Sequence, residues 1–344
     1  MDRKKNKQRG IWLPILADLL LVGVILCTFA MFHHVIPRIR ARQVQAERLA
    51  AAATAPSAAA PPTTQATTVP ETTAPEADER TPWQKRFAEH FTDETQRTDH
   101  SYSSPQVSID IDTVVREADG HRVVYYVADI YIASIENFKT HTVNGGYQYM
   151  ATEDMLTLDR EVDALVAISG DFITYQSSGF LMRNGELFFS DYTFCDICVM
   201  YEDGRIATYD RDGYVIEDIL NDGAIQVWNF GPALLDENGK AKESFQMSTT
   251  VSFINPRSAL GYYEPGHYCF VVVDGRQEGH SDGMTMPELA KLFEELGCAC
   301  AYNLDGGGSA VMSFQHGKFS RQSNGGNREL GDILYICESE ESGE

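Results

Sequence analysis

Positive charge is scarce in this 344-residue chain: 28 Lys and Arg face 50 Asp and Glu, a formal charge of −22. The shortage sharpens beyond residue 48, because the first 48 positions hold nine basic and three acidic side chains and leave 19 against 47 for the rest. A surface that acidic repels phosphate backbones and anionic head groups, which excludes a free nucleic-acid binder. Apolar residues make up only 43%, too few for a polytopic membrane protein. No Asn-x-Ser/Thr acceptor occurs, so nothing points to a glycosylated eukaryotic secretory product. Neither a G-x-G-x-x-G spacing nor a Walker lysine accompanies the glycines at 306–308, and no G-x-S-x-G elbow is present; dinucleotide, nucleoside triphosphate and α/β-hydrolase chemistry are therefore unsupported. Cys195 and Cys198 form a C-x-x-C, but Cys298 and Cys300 are one residue apart, so the second knuckle of a structural zinc site is missing. No metal and no cofactor are expected.

One long apolar run is present. Ile11 to Ile36 contains a single formal charge, Asp18, and exceeds the ~20 residues needed to cross a bilayer and the 7 to 15 of a signal-peptide core. It predicts a single-pass anchor behind a cytoplasmic tail at 1–10, with the body of the protein outside the cell membrane. Residues 37–80 are rich in Ala, Pro and Thr and nearly devoid of large apolar side chains, the composition of a disordered spacer. Trp83, Phe87 and Phe91 recur every four residues and predict a lead-in helix within 81–99. A globular domain is expected over 100–338, then an acidic tail at 339–344. Six cysteines lie beyond the apolar run, compatible with core thiols or with one or two disulfides.

Within the domain, Asn184-Gly185 and Asp203-Gly204 each separate alternating apolar segments and predict hairpins. Tyr268 to Val273 is continuously apolar, as for a strand buried on both faces. A helix should follow it, since Thr285 and Glu288 form a capping box, Leu289, Leu292, Phe293 and Leu296 share one face, and Gly297 stops it. The expected fold is α+β, a single domain with a central mixed, largely antiparallel sheet flanked by helices, preceded by the transmembrane helix.

Two polar turns each follow an apolar strand: Asp274-Gly275-Arg276, and Asn303-Leu304-Asp305 with Gly306, Gly307, Gly308 and Ser309. Strand ends on a common sheet edge would bring them together. Three glycines permit positive φ and the approach of bare N–H groups to an anionic oxygen such as phosphate. His141, His267, His280 and His316 are scattered without ligand spacing, and only His280 is near enough to Arg276 in sequence to share its pocket.

The ordered segments Pro256-Arg257-Ser258-Ala259-Leu260-Gly261, Val272-Val273-Asp274-Gly275-Arg276, Gly283 to Ala290 and Leu296 to Ser309 resemble the phosphodiester glycosidase domain family, over roughly residues 100–338. Ile168-Ser169-Gly170-Asp171-Phe172 is similar to a further family strand, with Ser169 where Asn is usual. The resemblance implies hydrolysis of the bond between a sugar's anomeric carbon and a phosphodiester oxygen, in a cell-surface or exopolysaccharide glycan. It implies Arg257 and Arg276, with the Gly306–Ser309 turn, on the phosphate, and Asp171, Asp274, Asp305 and Asn303 as catalytic groups. The expected partners are a glycan or sugar-phosphate substrate and the membrane. A non-catalytic glycan-binding module and a glycosyl-phosphate transferase are the competing readings of the same pocket.

Overall fold

The computed structural model describes residues 80–118, 120–246, 249–323 and 328–339. The predicted tail, anchor and most of the spacer lie outside the described residues, as does most of the acidic tail; among the described residues no helix is long and apolar enough to cross a membrane.

Three sheets carry the domain. The first runs β1 (Gln96–Arg97), β2 (Ser101–Ser103), β3 (Val107–Ala118), β4 (His121–Ile132), β13 (His267–Val273), β12 (Arg257–Glu264), β14 (Cys300–Asn303). The second runs β10 (Ile206–Tyr209), β9 (Ile197–Tyr201), β11 (Ala224–Trp228), β7 (Phe180–Arg183), β8 (Glu186–Ser190). The third runs β16 (Gly317–Lys318), β15 (Met312–Phe314), β6 (Val166–Ser169), β17 (Asp332–Ile336), β5 (Phe138–Thr142). Every described pairing between them is antiparallel. The expected single mixed sheet is thus replaced by three antiparallel ones, and the helices are few and short: α1 (Pro82–Arg86), α2 (Met155–Glu161), α3 (Ile216–Asn221), α4 (Thr249–Ser252) and α5 (Met286–Leu296).

Local signals were obeyed where they were strong. Asn184 and Gly185 both take positive φ in the β7–β8 hairpin, as a two-residue primed turn requires. Helix α5 starts on a complete Thr285/Glu288 capping box and ends with Gly297 in the left-handed region. The lead-in helix is only five residues; Thr81 caps it reciprocally with Gln84. Trp83 and Phe87 still pack inward, while Gln96–Arg97 are already strand.

The continuous apolar run of β13 serves two cores. Tyr268, Phe270 and Val272 join a cluster between the first sheet and the other two, whereas Cys269, Val271 and Val273 pack with Leu289, Leu292 and Phe293 of α5. The side-chain period of two divides one strand between two burials. All six described cysteines are free thiols; Cys269 and Cys298 bring their sulfurs to 3.7 Å.

All described residues belong to one compact unit, Ala77–Glu344. A fragment beginning at Ala77 is expected to melt in one cooperative calorimetric transition, because the four described core clusters are built from residues of α1 and beyond. Aggregation of the fragment beside a folded full-length chain in detergent would refute this boundary.

Candidate active site

The helical connection from β13 through α5 to β14 brings two strand ends to one edge, and β12 lies between them, antiparallel to both. Its first residue therefore falls at that edge: Arg257 stands opposite Val273, and Ala259 opposite Asn303. The turns after β13 and β14 thus meet around the segment Asn255–Arg257, and three glycines make this possible. A Cβ on Gly275 or Gly283 would meet backbone of that segment at 2.9 or 2.5 Å, and one on Gly306 would meet the Pro256 carbonyl at 2.6 Å, all closer than real Cβ contacts permit.

Arg257 is 2% exposed. Its Nε donates to the Met284 carbonyl at 2.9 Å and its Nη2 to the Phe253 carbonyl at 2.6 Å; among the described residues it enters no ion pair. Burial, and then the neighbouring Arg276, hold it down to about 10, so it remains a cation at neutral pH. Arg276 has φ +57° and donates through Nε and Nη2 to Asn255 Oδ1. Its guanidinium covers the Gly307 backbone, where an added Cβ would lie 3.1 Å from Nη2. Glu288 offsets part of the lowering at Arg257, but neither guanidinium enters an ion pair among the described residues, and two such groups beside a glycine turn can cradle an anion.

Asp274 is differently disposed. One oxygen accepts from Tyr126 Oη and His280 Nε2, and the other from the Arg321 backbone N–H. Burial outweighs these bonds and raises the carboxyl above the usual range. Its accepting capacity is used to hold His280 and the 321 segment, so it positions the turn.

The edge of the third sheet abuts this one. Asp305 N–H donates to the Gly170 carbonyl at 2.9 Å, Ser258 Oγ to the Ser169 carbonyl, and Ser169 Oγ to the Asp305 carbonyl. Ser169 thus ties two backbones together. Gly170 must lack a side chain, since a Cβ would sit 2.3 Å from Asp332 Oδ1. Asp171 follows, fully buried; its Oδ1 lies 2.8 Å from Arg183 Nη2, and its Oδ2 accepts from the Asn229 N–H at the end of β11. Arg183 also donates Nε and Nη2 to Asp332 Oδ2, and Nη1 to the Met182 and Val227 carbonyls. The second and third sheets therefore meet at Asp171, Arg183 and Asp332, and the first reaches them through the Asp305–Gly170 bond.

Asp305 is partly open to solvent, yet burial raises it to about 6, with Asp171 adding to the rise against the Ser309 hydroxyl and Arg328. Burial, reinforced by Asp171 and Asp305 and opposed by Arg183, raises Asp332 further. Asn303 donates its amide to the Gly231 carbonyl at 2.8 Å. The Asn303 and Asn229 amide oxygens and Asp332 Oδ1 are buried without a hydrogen-bond partner, whereas Asp171 Oδ1 is held by Arg183. An unpaired buried polar atom typically costs ~1–3 kcal/mol, and such groups persist where a proton or a ligand hydroxyl completes them.

The ten residues expected from sequence fall in strand ends and turns linked by these contacts, with Asp171, Arg257, Asp274, Asn303 and Ser309 buried. Arg257, Arg276 and Gly306–Gly308 form the cationic side, Asp171, Asp305, Asn303 and Ser309 the acidic side, and Asp274 braces the first. Sequence reasoning missed Arg183 and Asp332. Arg183 reads as the flank of a hairpin, but Asp332 abuts an apolar strand as Asp171 does, and that signal could have found it. No group of three or more His, Cys, Asp or Glu side chains able to hold a metal occurs among the described residues.

A sequence model described as phosphodiester glycosidase matches residues 162–337, just over half of the chain. The chain belongs to that family of hydrolases. It is similar to the SPbeta prophage-derived uncharacterized protein YomE of Bacillus subtilis (strain 168), at 27% identity over 190 residues, covering 54% of this chain and 29% of that protein; it thus spans under a third of this curated relative. Its fold is similar to the zebrafish N-acetylglucosamine-1-phosphodiester alpha-N-acetylglucosaminidase catalytic domain, auto-inhibited by its pro-peptide. That likeness has a TM-score of 0.55 and 21% identity, and covers 72% of this chain and 88% of the other.

Proposed function

We propose that the chain hydrolyses the bond between an anomeric carbon and a phosphodiester oxygen in a cell-surface glycan, from a position outside the membrane that its apolar 11–36 segment anchors. The observation that carries this reading is the Arg257–Arg276 pair, two cations beside the Gly306–Gly308 turn, neither of them in an ion pair among the described residues. A phosphodiester supplies the missing charge. Asp305 opens that turn, and its carboxylate supplies the negative charge that stabilises a sugar carbon becoming positive. Water's oxygen becomes the sugar hydroxyl, the C–O bond breaks, and the phosphate leaves as a monoester with the bridging oxygen. Phosphate is already a good leaving group, so the demand on a general acid is small. Asp171, Arg183 and Asp332 hold the floor, and the unpaired Asn303 oxygen suits a sugar hydroxyl.

The test is release of free sugar from a panel of synthetic sugar-1-phosphodiesters, with the matching simple glycosides as controls. Turnover confined to the phosphodiesters is expected, and equal turnover of both classes would defeat the reading. Arg276→Lys should raise KM about tenfold with a smaller change in kcat, because a lysine keeps the charge and loses the planar fork; an unchanged KM would remove Arg276 from the phosphate.

A further inference from the structure

Nine large apolar side chains are conspicuously exposed among the described residues, and seven of them lie on four segments that border the candidate site. Tyr175 follows Asp171 by four residues and stacks on Phe172 with ring centroids 4.5 Å apart. Tyr149 and Met150 sit beside it, since the Met150 N–H donates to the Thr174 carbonyl at 2.8 Å. Tyr192 and Phe194 occupy the next loop, joined to the first by the Asp191 N–H on the Gly179 carbonyl and to Asp171 through Cys195 Sγ, which donates to the carbonyl of Asn229 at 2.7 Å. Phe253 and Ile254 flank the cationic side, where the Phe253 carbonyl accepts from Arg257. Phe194, at 94% exposure, has almost its whole ring in solvent.

Exposed apolar side chains scattered singly need no explanation, but their concentration around one polar cluster does. A formal charge of −22 disfavours an anionic lipid surface or an acidic partner as the occupant. The rings alternate with polar turns, and aromatic faces beside hydrogen-bonding groups match the apolar faces and equatorial hydroxyls of pyranose rings. We infer that these aromatic segments form a subsite for the neutral sugar units of an extended glycan on either side of the scissile linkage, so that the substrate is an oligomeric or polymeric chain. The placement of the scissile linkage rests on the hydrolase reading; the rim itself does not.

The test uses the full-length chain in detergent, fluorescently labelled, on an array of bacterial polysaccharide fragments from one to eight sugars long. For at least one sugar series the signal should rise at least tenfold from the monosaccharide to the tetrasaccharide. Phe194→Ala and Tyr175→Ala should abolish that rise, while Val115→Ala, at an exposed apolar position on β3, should retain it. Binding that ignores chain length, no binding to any fragment, or retention of the rise in both rim variants would overturn the inference. So would a length-independent chain whose self-association in sedimentation velocity is lost in Phe194→Ala, because the rim would then be a contact between copies. Because the array reads binding alone, a length-dependent signal without sugar release from the phosphodiester panel would retain the rim and discard the hydrolase reading.

Discussion

Replacement of Asp305 by Asn is expected to lower kcat on a sugar-1-phosphodiester by a hundredfold or more, about 3 kcal/mol of transition-state stabilisation. The substitution preserves size and leaves an oxygen to accept the Ser309 hydroxyl, so it isolates the charge. In the unaltered enzyme kcat/KM should fall as pH drops through about 6, the value to which burial raises Asp305, because protonation removes the same negative charge. Asp305→Asn should flatten that acid limb. Pre-steady-state and steady-state rates between pH 4.5 and 8 provide the check; a variant within threefold of the parent, or one that keeps the limb, would show that the carboxylate is not the electrostatic partner of the reacting carbon.

The largest effect on stability is expected from Arg183→Met. The guanidinium is the cation between the buried carboxylates of Asp171 and Asp332, and removing one partner of such a network typically costs ~3–5 kcal/mol, a large share of the ~5–15 kcal/mol available to a domain. The stranded Asp332 carboxyl, which burial already raises, would take up a proton in the folded state. A carboxyl whose folded pKa is raised binds more protons folded than unfolded, so its contribution is present below the unfolded value near 4 and is lost as pH rises through the folded value. The deficit of Arg183→Met should accordingly shrink toward acid pH and widen toward pH 8. Urea denaturation across that range measures it. The triple change Arg183→Met, Asp171→Asn, Asp332→Asn should recover most of the loss, because no buried charge is left uncompensated. A loss under 1 kcal/mol in the single variant would mean that the carboxylates find other compensation.

Much of this site was legible because it is built from local punctuation. Asp274 and Asp305 each stand just after an apolar strand, α5 is fixed by Thr285, Glu288 and Gly297, and a strand–helix–strand passage returns both ends to one edge whichever strand lies between them. What intervenes was not legible. The expectation of a mixed sheet put the ends of the strands at 268–273 and 300–303 on one edge without a strand between them; Ala259 to Tyr262 bonds the second of them, and Arg257 to Glu264 bonds the first, so every described ladder is antiparallel. Asp332 and Arg183 escaped for the same reason. Their contact depends on β7, from one sheet, meeting β17, from another, across 149 residues of sequence, and no local propensity encodes such a meeting. The hairpin at Asn184-Gly185, by contrast, is specified by two adjacent residues that tolerate positive φ.

The most direct test of the central claim, cleavage at the anomeric carbon, is the fate of solvent oxygen. Hydrolysis of a cleaved synthetic sugar-1-phosphodiester in ¹⁸O-enriched water, followed at once by mass spectrometry, should give a phosphate monoester free of label and a sugar carrying one heavy oxygen at C1. Label in the phosphate would mean that water attacks phosphorus, and that Arg257, Arg276 and the Asp305 turn serve a phosphodiesterase and not a glycosidase.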